Sequence, residues 1–189
     1  MRLQTPSQTI GPFFHPALLR EGMNDLTAAA PTGQRIIVEG RVLDGDDMRV
    51  SDALLEIWQA NAAGRYDHPD DTQDKPLDPN FHGFGRVATD EQGRFQFRTI
   101  KPGSVGGQAD RQAPHINISI FARGLLKQLV TRIYFADEPL NASDAVLNGI
   151  SESARRDTLI ARRAGSPLEP VYYFDIILQG LRETVFFEL

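Results

Sequence analysis

No cysteine occurs among the 189 residues. That absence excludes disulfides, Cys-ligated zinc, iron–sulfur clusters and thiol nucleophiles together. Any metal would fall to His, Tyr, Asp or Glu. Positive charge is also short: 20 Lys and Arg against 25 Asp and Glu leave a net charge of −5. No basic run with interleaved aromatics offsets it, which argues against nucleic acid or an anionic membrane surface as the main partner. No apolar run approaches the roughly 20 residues of a membrane span. The opening Met1-Arg2-Leu3-Gln4-Thr5-Pro6-Ser7 has no apolar signal core, so a cytoplasmic protein is the expectation. P-loop, dinucleotide and Ser-His-Asp hydrolase patterns are missing too.

What the chain does have is alternation. Apolar and polar residues exchange with period 2 over 36–43, 54–60, 94–100, 115–122, 129–135, 171–178 and 183–188, the pattern of half-buried strands. In 94–100, Phe95 and Phe97 share one face and Arg94, Gln96 and Arg98 the other. Lys101-Pro102-Gly103 ends that strand, because proline cannot donate to a ladder and glycine suits the turn. Long loops separate the strands at 61–85 and 101–114, and loops of that length are usually functional or lie against a partner. One helix is expected at 151–163, capped by Ser151 or Ser153 with Leu159 and Ile160 buried. The fold expected is all-β, a single β-sandwich domain spanning 1–189 with one or two short helices.

The first 30 residues do not alternate and read as an extended arm. Within Thr5–His15 lie two prolines, a glycine and the adjacent pair Phe13-Phe14. Two exposed Phe rings would leave roughly 300–500 Å² of apolar surface in water. The arm therefore needs a surface, either its own sandwich or a partner chain.

The segment Pro114-His115-Ile116-Asn117-Ile118-Ser119 is the most informative. On a strand, positions 115 and 117 project to one face. A His-x-His there would offer two imidazoles to one metal, but the second position is Asn117, a poor neutral donor for a transition metal. Residues 116, 118, 120 and 122 (Ile, Ile, Ile, Ala) form a core face. The lane of His115, Asn117, Ser119, Phe121 and Arg123 is mostly polar, as a pocket, a partner contact or a solvent face would be. His68 and His82 sit among Asp67, Asp70, Asp71 and Asp74, a hydrated acidic loop that lacks the regular spacing of a calcium loop.

Three blocks together resemble the intradiol ring-cleavage dioxygenases, on the side of the α chains of heteromeric members. They are TPSQTIGPFFH at 5–15, LLEIWQANAAGRYDH at 54–68, and RTIKPG…APHINISIFARG from 98 to 124. LDPNFHGFGR at 77–86, TRIYFADE at 131–138 and YYFDIILQGLRETVFFEL at 172–189 extend the likeness nearly end to end. The resemblance implies a β-sandwich and a mononuclear Fe(III) centre held by two Tyr and two His in the homologous β chain. Phenolates are hard anionic ligands suited to Fe(III). In the family's pattern the two Tyr positions fall here on Tyr66 and Val105, and the two His positions on His115 and Asn117, so two of four ligands are missing. The family's Arg before the first His falls near Arg111 and Gln112. Cofactor iron is thus expected on a β partner and none on this chain alone.

The same resemblance implies that the arm and one strand of this chain close over the partner's site. The residues this points to are Thr9, Gly11, Pro12, Phe13 and Arg123, with a small aromatic substrate and O₂ and a higher α–β oligomer. The implied reaction inserts oxygen between the hydroxylated carbons of protocatechuate, giving 3-carboxy-cis,cis-muconate. Two rival readings are a self-sufficient enzyme with unconventional iron ligands and a non-enzymatic β-sandwich binding or assembly module.

Overall fold

The computed structural model describes residues 17–106, 111–166 and 168–188. Within them the chain is all-β, with nine strands. These are β1 (Arg35–Leu43), β2 (Leu54–Gln59), β3 (Phe84–Ala88), β4 (Arg94–Ile100), β5 (His115–Phe121), β6 (Leu129–Phe135), β7 (Ile160–Gly165), β8 (Pro170–Tyr173) and β9 (Ile176–Ile177). A 3-10 turn at Pro139–Ser143 leads into the short helices α1 (Ala145–Asn148) and α2 (Ser153–Asp157).

The strand order is β3-β2-β5-β6-β7-β8-β1-β4, with β9 pairing in parallel with the end of β1. The path folds over on itself. Ile57, Ile116, Ile118, Ile120, Ile133 and Phe135 from the β2-β5-β6 side meet Ile36, Val38, Phe95, Phe97 and Tyr172 from the β8-β1-β4 side in one core. Strand β7 joins the two layers, pairing in parallel with β6 at Tyr134↔Ile160 and antiparallel with β8 at Arg163↔Tyr172. Alternation on β5 explains why Ile116, Ile118 and Ile120 are fully buried, each side chain pointing into the gap between the layers.

The opposite seam, between edge strands β3 and β4, is closed by a strap of residues 23–27. Arg86 N donates to Met23 O at 3.0 Å, Arg98 N to Asn24 O at 2.8 Å and Leu26 N to Arg98 O at 2.9 Å. Covering edge strands removes a template for unwanted pairing. Gly85 makes the close approach possible: a Cβ there would lie 2.6 Å from the Leu26 side chain and 2.7 Å from Met23 O. Of the expected 1–30 arm, then, residues 23–27 are fastened to this chain's own edge strands, and residues 1–16 lie outside the described residues.

Some expectations need correction. The helix expected at 151–163 is only α2; 160–165 is a strand, because Ile160 and Ala161 pair with Tyr134 and Phe135 and Leu159 is fully buried. Tertiary pairing overrides local helical preference. The loop expected to run to residue 85 ends in β3, whose Gly85 and Arg86 hid its alternation. The run 171–178 is interrupted between β8 and β9, where the Asp175 carboxylate takes the Arg41 amide N–H at 2.9 Å. Residues 183–188 form no strand, only the bridge Val130↔Phe187.

A second, smaller core of Ala113, Tyr134, Leu147, Leu159 and Val185 lies beside the start of β5. Asp144 ties it together. Fully buried, it caps α1 through Leu147 N at 2.8 Å, accepts Ala113 N at 2.7 Å and takes the Tyr134 hydroxyl at 3.3 Å.

Candidate functional site

The turn after β2 aims Tyr66. Asn61 Oδ1 accepts the amides of Ala63 at 2.9 Å and Arg65 at 3.1 Å, and its Nδ2 donates to Pro76 O at 2.9 Å. Asn side chains commonly fold a turn onto themselves in this way. Gly64 sits at φ +84, and a Cβ there would lie 1.9 Å from Ser104 O, so only glycine fits. Asp71 then accepts Tyr66 N at 2.7 Å and Gln73 N at 3.0 Å. Burial opposes the charge on Asp71, but the Gln73 and Tyr66 amides, the Gln73 side chain and Arg65 outweigh it and hold its pKa below the usual carboxylate range. Lys75 Nζ donates to Ser104 O at 2.7 Å and Gly64 O at 3.3 Å, with Gly106 O at 3.5 Å. One ammonium thus binds the two long loops. Its pKa is lowered, by burial first and by Arg111, against the pull of Asp71.

Three of the four positions singled out for metal ligands meet directly. His115 Nδ1 lies 2.8 Å from Ala113 O. A carbonyl only accepts, so Nδ1 carries the proton and Nε2 offers its lone pair to the Tyr66 hydroxyl at 3.4 Å. Asn117 Nδ2 donates to that hydroxyl at 3.1 Å. Trp58 stacks on Tyr66 with ring centroids 5.5 Å apart. The fourth position, Val105, lines an open groove of about 590 Å³ with Trp58, Tyr66, His68 and Gln112. It is pinned by a two-way bridge to Gln112 at 3.2 and 2.8 Å.

The electrostatics keep the cluster neutral. Burial pushes the Tyr66 phenol up, more than the Asn117 hydrogen bond and Arg132 bring it down. Burial, then Arg132, lowers His115 to about 4, against the Ala113 carbonyl and Asp144. Burial likewise raises Tyr134 to about 12. A ferric centre of the kind the resemblance implies needs anionic oxygen and free imidazole nitrogen. Here two of the four positions lack a suitable donor: an amide N–H₂ of Asn117 points at the phenol, and Val105 has no donor atom. The residues do not fit the metal. Among the described residues no group of three or more His, Asp or Glu could hold one.

Arg123 lies at the other end of β5. It is about 26 Å from His115 along the strand at about 3.3 Å per residue, so it cannot serve the Tyr66 cluster. It forms an ion pair with Asp52 through Nε and keeps 64% of its side chain exposed. Thr9, Gly11, Pro12 and Phe13 lie outside the described residues. Gln112, near the family's Arg position, accepts Arg132 Nη1 at 2.9 Å, while Arg111 is exposed. The guanidinium beside the cluster is therefore Arg132. Sequence reasoning missed it, although on β6 it stands directly opposite Asn117. His68 and His82 stay in the acidic loop, His82 Nδ1 at 2.7 Å from Asp67.

A strand-built sandwich carrying this vestige defines a class, and the comparisons agree on it. A family model described as dioxygenase matches residues 10–180. The protocatechuate 3,4-dioxygenase alpha chain of Burkholderia cepacia is 44% identical, over 98% of this chain and 98% of that one. The beta chain from the same organism is 43% identical, over 92% of this chain and 75% of the other. Among solved structures, the dioxygenase domain of a carbohydrate-binding fusion from Streptomyces sp. SirexAA-E superimposes with a TM-score of 0.64 at 28% identity, covering 96% and 99% of the two chains. This chain belongs to the intradiol dioxygenase family.

Proposed function

We propose that this chain is the α-type, non-ligating subunit of a heteromeric protocatechuate 3,4-dioxygenase. It helps enclose a site in which Fe(III) is held by a homologous β chain, and that site cleaves protocatechuate with O₂ to 3-carboxy-cis,cis-muconate. The whole chain, 1–189, acts as one domain whose N-terminal arm lies on the partner. Thr9, Gly11, Pro12 and Phe13 of the arm, with Arg123, border the partner's substrate pocket. The complex is a higher α–β oligomer of the cytoplasm, in keeping with an acidic, cysteine-free composition.

Identity alone does not separate the two chain types, since 44% and 43% are equivalent. The donor set does. Val105 and Asn117 stand in an otherwise assembled cluster, and this single observation carries the reading. A chain that cannot hold the metal contributes by positioning substrate and excluding water, effects that raise rates without covalent chemistry.

The test is co-expression with a candidate β chain, followed by co-purification, iron content and oxygen uptake with protocatechuate. Expected are a stable complex, iron in proportion to β and activity absent from this chain alone. An iron-loaded, active preparation of the single chain overturns the proposal. A chain that joins no β partner, or leaves the partner's turnover untouched, supports the binding-module alternative instead.

A further inference from the structure

The Arg123 ion pair is not a casual surface contact. Strands β2 and β5 run antiparallel with Leu54 opposite Phe121 and Leu55 opposite Ile120. Continuing that register by two residues sets Asp52 opposite Arg123, on the same face of the sheet. Asp52 lies in the turn before β2 and is half-buried, its side chain 26% exposed. Its Oδ2 makes no hydrogen bond among the described residues, and the ion pair with the Arg123 guanidinium is what compensates it. Arg123 meets it with Nε, and neither Nη group makes a hydrogen bond within the described residues. Around it the β5–β6 hairpin tip is open: Gly124, at φ +84, has nothing within 4 Å of a Cβ. Leu126 is 68% exposed.

We propose that Asp52 is the positioning residue for Arg123. It clamps the guanidinium at Nε and aims the two Nη groups outward, toward the carboxylate of the aromatic substrate in the partner's pocket. This rests on the reading that Arg123 borders that pocket. An arginine is a long, rotamer-rich side chain, and one already held in place loses less freedom when ligand arrives. The planar fork presents paired donors that match a carboxylate.

The experiment uses the co-assembled complex with D52N, D52E, R123A and the double variant D52N/R123A. Steady-state kinetics are measured with protocatechuate and with catechol, which lacks the carboxylate. Expected for D52N is a rise in KM for protocatechuate of about tenfold with kcat within about twofold. The KM for catechol should not move, D52E should recover much of the loss, and D52N should add nothing to R123A. If R123A itself leaves protocatechuate kinetics unchanged, the placement of Arg123 at the pocket fails, and the role of Asp52 with it. If R123A raises KM while D52N does not, Arg123 keeps its place and the positioning role is overturned. Equal losses on both substrates, or loss of the complex or its iron in D52N with no recovery in D52E, make Asp52 merely structural and also overturn it.

Discussion

Asn117 donates its side-chain amide to the Tyr66 hydroxyl at 3.1 Å, across the place where the family's likeness calls for an imidazole. That hydroxyl in turn reaches His115 Nε2. The pair converts a ligand shell into a closed chain of hydrogen bonds from a backbone carbonyl to an amide.

The isolated chain mixed with Fe(III) should therefore stay colourless, because a tyrosinate-to-iron band needs a deprotonated, coordinating phenol. Absorption spectroscopy and metal analysis after gel filtration check this; a burgundy sample with one iron per chain would contradict it. Asn117→Ala should cost about 1 kcal/mol for the lost bond to Tyr66, read by denaturant unfolding.

His115 sets an acid limb. Its folded pKa, about 4, lies below the unfolded value near 6.5. The folded state thus binds fewer protons in that window, and stability falls as pH drops from about 6.5 to about 4. The full effect is on the order of 3 kcal/mol. Unfolding midpoints measured across that range should show the slope, and His115→Gln should flatten it; an unchanged slope would remove His115 as its source.

Lys75 should matter more than a surface lysine. Its ammonium holds carbonyls of both long loops, and charged hydrogen bonds contribute about 1.5–3 kcal/mol. Lys75→Met should lower stability by about 2 kcal/mol and speed amide exchange in 61–75 and 101–106, while strands β1 and β4 keep their protection. Uniform acceleration across the chain would argue for global loosening instead.

Asp144 accepts backbone N–H groups on both carboxylate oxygens. Asp144→Asn keeps the shape but turns an N–H₂ toward one of them. A loss of about 1–3 kcal/mol is expected, as large as for Asp144→Ala. Thermal unfolding of both variants tests this, and a neutral Asn variant would show that the buried charge is dispensable.

Much of the fold was legible because burial on one face imprints period 2: β1, β2, β4, β5 and β6 lie within a residue or two of their expected positions. Strand β3 was hidden because its buried members are Gly85 and Val87, too little apolar signal among Phe84 and Arg86. Strand β7 was hidden because its pairing partners on β6 lie 26 residues earlier, and only tertiary pairing turns Ile160-Ala161 from helix to strand. At the site, the convergence of Tyr66, Val105, His115 and Asn117 was readable from motif positions. The supports were not. Asp71, Lys75 and Arg132 belong to loops and a neighbouring strand whose approach depends on the three-dimensional path. Asp52 joins them, since its place beside Arg123 follows from the β2–β5 register that only the three-dimensional pairing gives.

The strap at 23–27 has a practical bearing on anyone trimming this polypeptide. A shortened version that keeps residues 23–27 keeps the backbone hydrogen bonds that fasten β3 and β4. A cut after residue 27 would remove these bonds and bare the rims of β3 and β4. Clumping of such a fragment would then reflect a lost fastening and say nothing about a missing mate.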